Sequence, residues 1–258
     1  MGQTIYNQLQ LREIFHLEFL RWLTKKASPE NYALKGGVNL RFFFNSFRYS
    51  EDMDLDISGV KVEWLKDTVM KILTAVSFQE TLKSFGIEKV LPPDISKAKQ
   101  TETTQRFKVH LLTYSGEDLF TKVEFSRRGF KGETITQPVS DNILRAYKMP
   151  PLLIPHYSIN SAIAQKIEAL VMRAAIQARD VFDLYILTTQ YEGKKQKIGQ
   201  SLLIRAKENV SHVTFNQFRD TAVSYLSSDD QLAYAKADAW DAIKIRVSNF
   251  IEEIKRNA

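Results

Sequence analysis

The chain has 258 residues, of which 44% are hydrophobic and 26% are charged, as in ordinary globular proteins and unlike disordered, collagenous or coiled-coil chains. Its 36 basic and 30 acidic residues leave a net charge of +6, which suits a polyanionic partner without requiring one. The absence of cysteine excludes disulfides and thiolate metal sites. Because no apolar run has the length of a membrane helix or the flanks of a leader peptide, we expect a cytoplasmic protein with no membrane partner.

Apolar periodicity predicts an α+β architecture followed by a helical one. Helical spacing is found in three early segments: residues 4–26, 38–47 and 62–85. Alternation predicts strands in four segments: residues 32–34, 50–57, 106–114 and 119–126. After Pro150, Pro151 and Pro155 the pattern is helical, over residues 161–187, 214–226 and 231–255. These patterns predict an α+β domain over residues 1–155 and a helical domain over residues 156–258.

Three aspartates alternate with apolar residues along one predicted strand. Asp52, Asp54 and Asp56 stand at positions i, i+2 and i+4, so they share one face of the strand. Neighbouring carboxylates repel each other, whereas a divalent cation with oxygen ligands would convert that repulsion into binding. A solvent-facing acidic strand is the alternative, and the strand alone does not decide between the two.

A glycine pair lies between the first predicted strand and the helix that follows it. The free N–H groups of a helix N-terminus bind phosphate, and glycine lets the backbone approach the anion closely. Gly36 and Gly37 would be weak evidence by themselves, since most such pairs are simply turns. Together with the Asp-x-Asp strand they predict a triphosphate site beside a metal site.

Residues 34–40 (LKGGVNL) and 48–55 (RYSEDMDL) resemble the signature of the AbiEii/AbiGii toxin family. That family consists of polymerase-β-like nucleotidyltransferases from type IV toxin–antitoxin systems. The resemblance implies a nucleotidyltransferase domain with a small mixed sheet, followed by a helical domain that contributes Lys, Arg and Asp to the active site. Val38 departs from the family pattern, which has a small hydroxylic residue there, so no side-chain hydroxyl at this position can contact phosphate.

The resemblance also implies roles for individual residues of these two segments. Asp52 and Asp54 would be catalytic and would hold Mg²⁺ or Mn²⁺. The family has a third metal ligand on a neighbouring strand, and Glu124 is the best candidate because Val123 and Phe125 face the other way. The residues expected to bind the nucleotide are Lys35, Gly36, Gly37, Arg48 and Ser50.

A later family motif corresponds to Lys166, Arg173 and the segment 179–184 (RDVFDL). On one continuous helix Lys166, Arg173 and Asp180 would share a stripe, while Asp183 would lie about 100° from Lys166. This geometry favours Asp180 as the catalytic partner of Lys166, with Arg173 and Asp183 contacting the nucleotide, unless the helix breaks near residue 178. The alternative is a surface stripe of ion pairs.

The basic stretch over residues 193–207 contains Lys194, Lys195 and Lys197 and no acidic residue. Such a stretch could bind an RNA backbone, although a solvated loop is the more common explanation. We therefore treat these three lysines as candidate RNA-binding residues.

The family resemblance implies transfer of a nucleoside monophosphate from an NTP to RNA, with the tRNA 3′ end as the expected acceptor and arrested translation as the result. It also implies a cognate antitoxin. Two other functions fit the same residues: a catalytically inactive module that binds NTP or RNA, and a small-molecule nucleotidyltransferase of the antibiotic-modifying type.

Overall fold

The structure is a computed structural model that describes residues 5–96, 98–193 and 198–257. The chain forms two units: Met1–Phe43 with Tyr49–Tyr157, and Phe44–Arg48 with Ser158–Ala258. Within the described ranges, no helix has the length and apolar character needed to cross a membrane.

The first unit combines helices with strands. Its helices are α1 (Gln8–Leu23), α2 (Gly36–Phe43), α3 (Val62–Thr74), α4 (Val76–Lys83) and α5 (Asp141–Ala146). Its strands are β1 (Tyr32–Lys35), β2 (Met53–Ile57), β3 (Ile87–Leu91), β4 (Thr104–Thr113), β5 (Asp118–Ser126), β6 (Thr134–Pro138) and β7 (Leu153–Tyr157). The α+β class predicted from the sequence is confirmed.

The strands of the first unit form one mixed sheet of seven strands in the described residues, in the order β3-β4-β5-β2-β1-β7-β6. The pairs β2–β5 and β1–β7 are parallel, and the other pairs are antiparallel. This order places β2, the acidic strand, between β5 and β1. The residues that follow β1 therefore lie on one side of β2, and β4 lies on the other.

Strand alternation gives the sheet an apolar face and a polar face. The apolar face packs under α1, α3 and α4 through residues that are 0% exposed: Met53, Leu55, Phe107, Val123 and Phe125. The intervening residues of β2, β4 and β5 point to the opposite face, where the charged side chains are found.

Several predicted helix bounds are wrong for local reasons. The helix α1 begins at Gln8 because Asn7 and Gln10 form a capping box there. The helix α2 ends at Phe43, and Asn45 has a φ of +51°, which is incompatible with a continuing helix. The helix predicted over residues 62–85 is two helices, since Ala75 is extended, with φ −66° and ψ 126°.

The second unit consists of helices and short turns, without a strand among its described residues. The helices are α6 (Ile159–Met172), α7 (Ala178–Thr188), α8 (Gln200–His212), α9 (Phe215–Thr221), α10 (Ser228–Tyr234) and α11 (Ala237–Asn257). Ser158 caps the start of α6, and Thr214 forms a capping box with Gln217 at α9. Phe218 stacks on Trp240 with ring centroids 4.3 Å apart and fixes part of the core.

The continuous helix predicted over residues 161–187 is wrong. The helix α6 ends at Met172, Arg173 is extended with ψ 144°, and α7 begins at Ala178. Because of this break, the 100° per residue of one continuous helix does not relate positions on α7 to positions on α6.

Candidate active site

The register of the strands brings the predicted acidic ligands onto the polar face of the sheet. Asp54 pairs with Glu124 across the parallel strands β2 and β5, and with Lys35 across the antiparallel strands β1 and β2. Paired residues on neighbouring strands present their side chains on the same face. Asp52 precedes β2 and accepts a hydrogen bond of 3.0 Å from the backbone N–H of Lys122. Asp52, Asp54 and Glu124 therefore lie close together.

Of the three carboxylates, Asp54 is the one that has no basic side chain in direct contact with it among the described residues. Burial raises the pKa of Asp54, and Glu124 and Asp52 raise it further, against the opposing charges of Lys122 and Lys35. Among the described residues, no hydrogen bond or ion pair is made to its carboxylate. When it is ionised, the carboxylate of Asp54 is therefore available to bind a cation.

Two basic side chains from the neighbouring strands hold the other two carboxylates. The Nζ atom of Lys122 lies 2.9 Å from Asp52 Oδ2 and 4.0 Å from Glu124 Oε2. Arg106 Nε, on β4, donates a 2.7 Å hydrogen bond to Glu124 Oε2. Glu124 thus stands next to Asp54, as alternation predicted, but its carboxylate is turned toward Arg106.

These residues fit a Mg²⁺ ion that is shared with a substrate. No group of three or more His, Cys, Asp or Glu side chains in the described part of the chain is arranged to hold a metal by itself. Mg²⁺ is commonly bound by only one or two carboxylates, with water and substrate phosphates as its remaining ligands. Asp52 and Asp54 supply such a pair of carboxylates, and Asp54 makes no hydrogen bond or ion pair with a described residue. All the donor atoms are oxygens.

The glycine pair begins the helix that follows β1. Gly36 has a φ of +69°, a conformation that glycine adopts at little cost and L-residues rarely adopt. A Cβ at this position would lie 3.0 Å from Asp54 Oδ2. Both the backbone at position 36 and the carboxylate beside it therefore favour glycine there. Val38, in the first turn of α2, is buried in the core, which explains an apolar residue there.

Lys35 is held by the third aspartate of the acidic strand. Its ammonium forms an ion pair with Asp56, and the hydroxyl of Tyr157 donates a hydrogen bond to the other carboxylate oxygen. Asp56 is buried, and it is occupied by these two partners. Sequence alternation put Asp56 on the face of Asp52 and Asp54, and the structure shows that its contacts are with Lys35 and Tyr157.

Ser50 and Arg48, both predicted to bind nucleotide, have structural partners. The hydroxyl of Ser50 donates a 2.8 Å hydrogen bond to the backbone carbonyl of Asp52. Arg48 belongs to the second unit, where its Nε and Nη2 donate hydrogen bonds of 2.9–3.0 Å to Asp183. Arg48 is 4% exposed, so its guanidinium is mostly committed to this bidentate ion pair.

The second unit contains a buried cluster of opposite charges around Lys166. Its Nζ lies 2.9 Å from Asp180 Oδ1 and 2.6 Å from Asp183 Oδ2. Arg173 Nε lies 3.1 Å from Asp180 Oδ2. Although burial favours the neutral amine, Asp180 and Asp183 hold the pKa of Lys166 above its usual range. Burial likewise opposes ionisation of Asp183, but Arg48 and Lys166 hold its pKa below the usual range.

The sequence favoured Asp180 over Asp183 as the partner of Lys166 unless the helix broke near residue 178, and α7 does begin at Ala178. Both aspartates are 0% exposed and both contact Lys166. The helix break after Met172 is the physical reason, because the 100° separation applied only to one continuous helix. The two aspartates differ in their second basic partner, which is Arg173 for Asp180 and Arg48 for Asp183.

Sequence reasoning missed several residues and could not test others. It gave no role to Lys122 or Arg106, although both alternate with core residues on predicted strands, which would have placed them on the face of Glu124. The pairing of Tyr157 with Asp56 spans 101 positions and has no local signal. Lys194, Lys195 and Lys197, the candidate RNA-binding residues, lie outside the described residues.

The site thus combines a mixed sheet that carries the aspartates with an adjacent helix that begins with glycine. Residues 18–253 match the family model described as the nucleotidyl transferase AbiEii toxin of type IV toxin–antitoxin systems. The chain therefore belongs to the AbiEii family and is a nucleotidyltransferase toxin, which confirms the resemblance read from the two motifs. Membership implies a nucleotide substrate and an antitoxin counterpart.

Solved structures with the same fold include proteins from two bacteria. JHP933 from Helicobacter pylori is 20% identical, with a TM-score of 0.57 over 98% of this chain and 94% of that chain. MenT4, a nucleotidyltransferase toxin from Mycobacterium tuberculosis H37Rv, is 17% identical, with a TM-score of 0.60 over 95% of this chain and 84% of that chain. At these identities the similarity shows a shared fold. No curated protein sequence matches the chain.

Proposed function

We propose that this toxin is a Mg²⁺-dependent enzyme that transfers a nucleoside monophosphate from an NTP to the 3′ end of an RNA, with tRNA as the acceptor and blocked translation as the outcome. The observation that carries the metal dependence is Asp54, a carboxylate that lies beside Asp52 and Glu124 and makes no hydrogen bond or ion pair of its own with a described residue. A cognate antitoxin would counter this activity, in keeping with the type IV systems of the family.

In this proposal, the residues around β1 bind the triphosphate. The N-terminus of α2 offers backbone N–H groups at Gly36 and Gly37 to the phosphates. Lys35, directly before them, keeps two ammonium N–H groups for phosphate when the third is used by Asp56. The ion pair with Asp56 holds this ammonium in place before the substrate arrives, which reduces the entropy lost on binding.

Asp52 and Asp54 would hold Mg²⁺, and the substrate would supply further oxygen ligands. When bound, Mg²⁺ would neutralise the phosphates and stabilise the charge that develops as pyrophosphate leaves. The acceptor hydroxyl oxygen would bond to the α-phosphorus, the bond from the α-phosphorus to the pyrophosphate oxygen would break, and the hydroxyl proton would pass to solvent. Lys122 and Arg106 would hold Asp52 and Glu124 in place beside this centre. The catalytic roles of Lys166 and Asp180 and the nucleotide contacts of Arg173 and Asp183 remain predictions.

The experiment is to incubate the protein with each of the four labelled NTPs and total tRNA, with and without Mg²⁺. Asp54→Asn should abolish transfer, and the exposed Asp67→Asn on α3 is the control that should retain it. Label on RNA that depends on Mg²⁺ and Asp54 supports the proposal. Label on small molecules would identify the antibiotic-modifying type of enzyme instead, and NTP binding without transfer would identify an inactive module.

A further inference from the structure

A second pocket lies on the polar face of the first unit, next to the acidic residues. It is a cavity of about 360 Å³ lined by Pro93, Asp94, Ala98, Lys99, Arg106 and Lys108. Arg106 joins it to the candidate active site, because the same side chain donates a hydrogen bond to Glu124. The pocket therefore adjoins the cluster of Asp52, Asp54 and Glu124, but three of the four charged residues that line the pocket are basic.

The basic side chains of the pocket have unused hydrogen-bond donors. Over the described ranges, neither Lys99 nor Lys108 has a carboxylate partner, and Arg106 uses Nε alone for Glu124. Asp94, the one acidic residue in the lining, accepts hydrogen bonds from the backbone N–H and the hydroxyl of Ser96. A ligand of this pocket would therefore meet three positive charges and one carboxylate that is already engaged.

The loop that carries Lys99 is fixed against β4. The backbone N–H of Arg106 donates a 2.8 Å hydrogen bond to the carbonyl of Lys99. Gln105 Nε2 donates a 2.8 Å hydrogen bond to Gln100 Oε1, and the two residues form an isolated bridge. The position of Lys99 is thus set by contacts that do not involve its side chain.

The order of the strands places this pocket and the proposed triphosphate site on opposite sides of β2. Gly36 and Lys35 lie on the β1 side of β2, whereas Arg106 and Lys108 lie on β4, two strands away on the other side. Two strand spacings amount to about 10 Å. In an in-line displacement the attacking oxygen and the leaving pyrophosphate occupy opposite sides of the transferred phosphorus. Pyrophosphate on the β1 side therefore requires the acceptor to approach from the β4 side.

We propose that the pocket formed by Lys99, Arg106 and Lys108 binds a phosphodiester of the single-stranded acceptor close to its reactive 3′ hydroxyl. This inference rests on the proposed function, because it assigns the pocket to the acceptor of the same reaction. The register supports one continuous track across the sheet, since Arg106 pairs with Glu124 on β5, and Glu124 pairs with Asp54 on β2. The phosphates would follow β4, and the terminal hydroxyl would reach Asp54.

The test compares two double variants that each remove two positive charges. Lys99→Gln with Lys108→Gln alters the pocket and leaves Arg106 and the carboxylates intact. Lys61→Gln with Lys71→Gln is the matched control, because both lysines are exposed and they lie at α3, on the apolar-face side of the sheet. Affinity for a labelled single-stranded oligoribonucleotide is measured across a salt series, together with NTP affinity and the KM values for RNA and NTP.

The pocket variant should bind the oligoribonucleotide about tenfold more weakly at low salt, and its slope of log K against log salt should fall by about 1.4, or 0.7 for each lost contact. The KM for RNA should rise while the KM and affinity for NTP stay unchanged. Slopes equal to those of the control variant, with transfer intact, would overturn the pocket assignment alone. Wild-type protein that binds no RNA would overturn both the pocket and the proposed acceptor.

The phosphate of a free nucleotide could bind the pocket in the same way as a phosphate of an RNA strand. A further measurement with a mononucleotide therefore distinguishes these two ligands. The affinity of a nucleoside 5′-monophosphate should be the same in wild type and in the pocket variant. A loss of mononucleotide affinity as large as the loss of RNA affinity would mean that the pocket binds a free nucleotide, and the acceptor assignment would be wrong.

Discussion

The carboxylate of Asp54 lies so close to Gly36 that a Cβ added at position 36 would be 3.0 Å from Asp54 Oδ2. The carboxylate of the central aspartate thus occupies the space that a side chain on the first residue of α2 would enter. The proposed phosphate-binding backbone and the proposed metal ligand are built against each other, and neither can change without affecting the other.

Gly36→Ala should therefore abolish or severely reduce nucleotidyl transfer. The substitution strains a backbone with a φ of +69°, at a cost of about 1–2 kcal/mol of folding free energy, and it pushes Asp54 away. Gly116→Ala is the matched control: its φ is +80°, but a Cβ there meets nothing within 4 Å. Both variants should lose similar stability in urea, and retained activity in Gly36→Ala would contradict the steric explanation.

Asp56→Asn should weaken NTP binding more than it weakens the fold. The variant removes the charge that holds the Lys35 ammonium but keeps a side chain of the same shape for the Tyr157 hydroxyl. We expect the KM for NTP to rise several-fold, with a smaller rise for Tyr157→Phe, which leaves the ion pair in place. Nucleotide affinity from titration calorimetry and unfolding in urea measure the two effects separately. Equal NTP affinities in wild type and Asp56→Asn would contradict the assignment of Lys35 to the phosphate site.

Asp183→Asn should be among the most destabilising single changes in the second unit. It removes the carboxylate charge that the buried Arg48 contacts and leaves Lys166 with Asp180 alone, and breaking such a buried pair costs about 3–5 kcal/mol. Asp180→Asn should cost less, because Lys166 keeps Asp183 and because Arg173 is partly exposed. Glu168→Gln, an exposed change on α6, is the control. Chemical denaturation of the four proteins gives the ranking, and a smaller loss for Asp183 than for Asp180 would contradict it.

The stability of the protein should fall as the pH falls from about 6.5 to about 4. Burial lowers the pKa of His156 to about 4, so over this range the unfolded chain binds a proton that the folded chain does not. Stability therefore rises with pH in this window, by up to about 1.4 kcal/mol per pH unit for one group. Unfolding free energies measured from pH 7 to pH 4 should show this slope, and His156→Gln should reduce it. An unchanged slope in that variant would show that His156 does not carry the effect.

Local sequence rules predicted the parts of this site that depend on neighbouring residues. The period of two along β2 placed Asp52, Asp54 and Asp56 on one face, and the same rule placed Glu124 on β5. The glycine pair marked the start of α2. The strands β3, β6 and β7 were not predicted, since each has only five residues and their pairing depends on partners that are not next to them in sequence.

The sequence alone determined the family, through the resemblance of its two motifs, and it placed the glycines and aspartates on their helix and strand, because that spacing is a local property of the chain. Which charge each residue meets was decided only by the tertiary structure. Arg48 reaches Asp183 across 135 positions, Asp56 is taken by Lys35 and Tyr157, and the break between α6 and α7 brings both Asp180 and Asp183 to Lys166. Ion pairs of this kind form between side chains that folding brings together out of water, and no local periodicity encodes them.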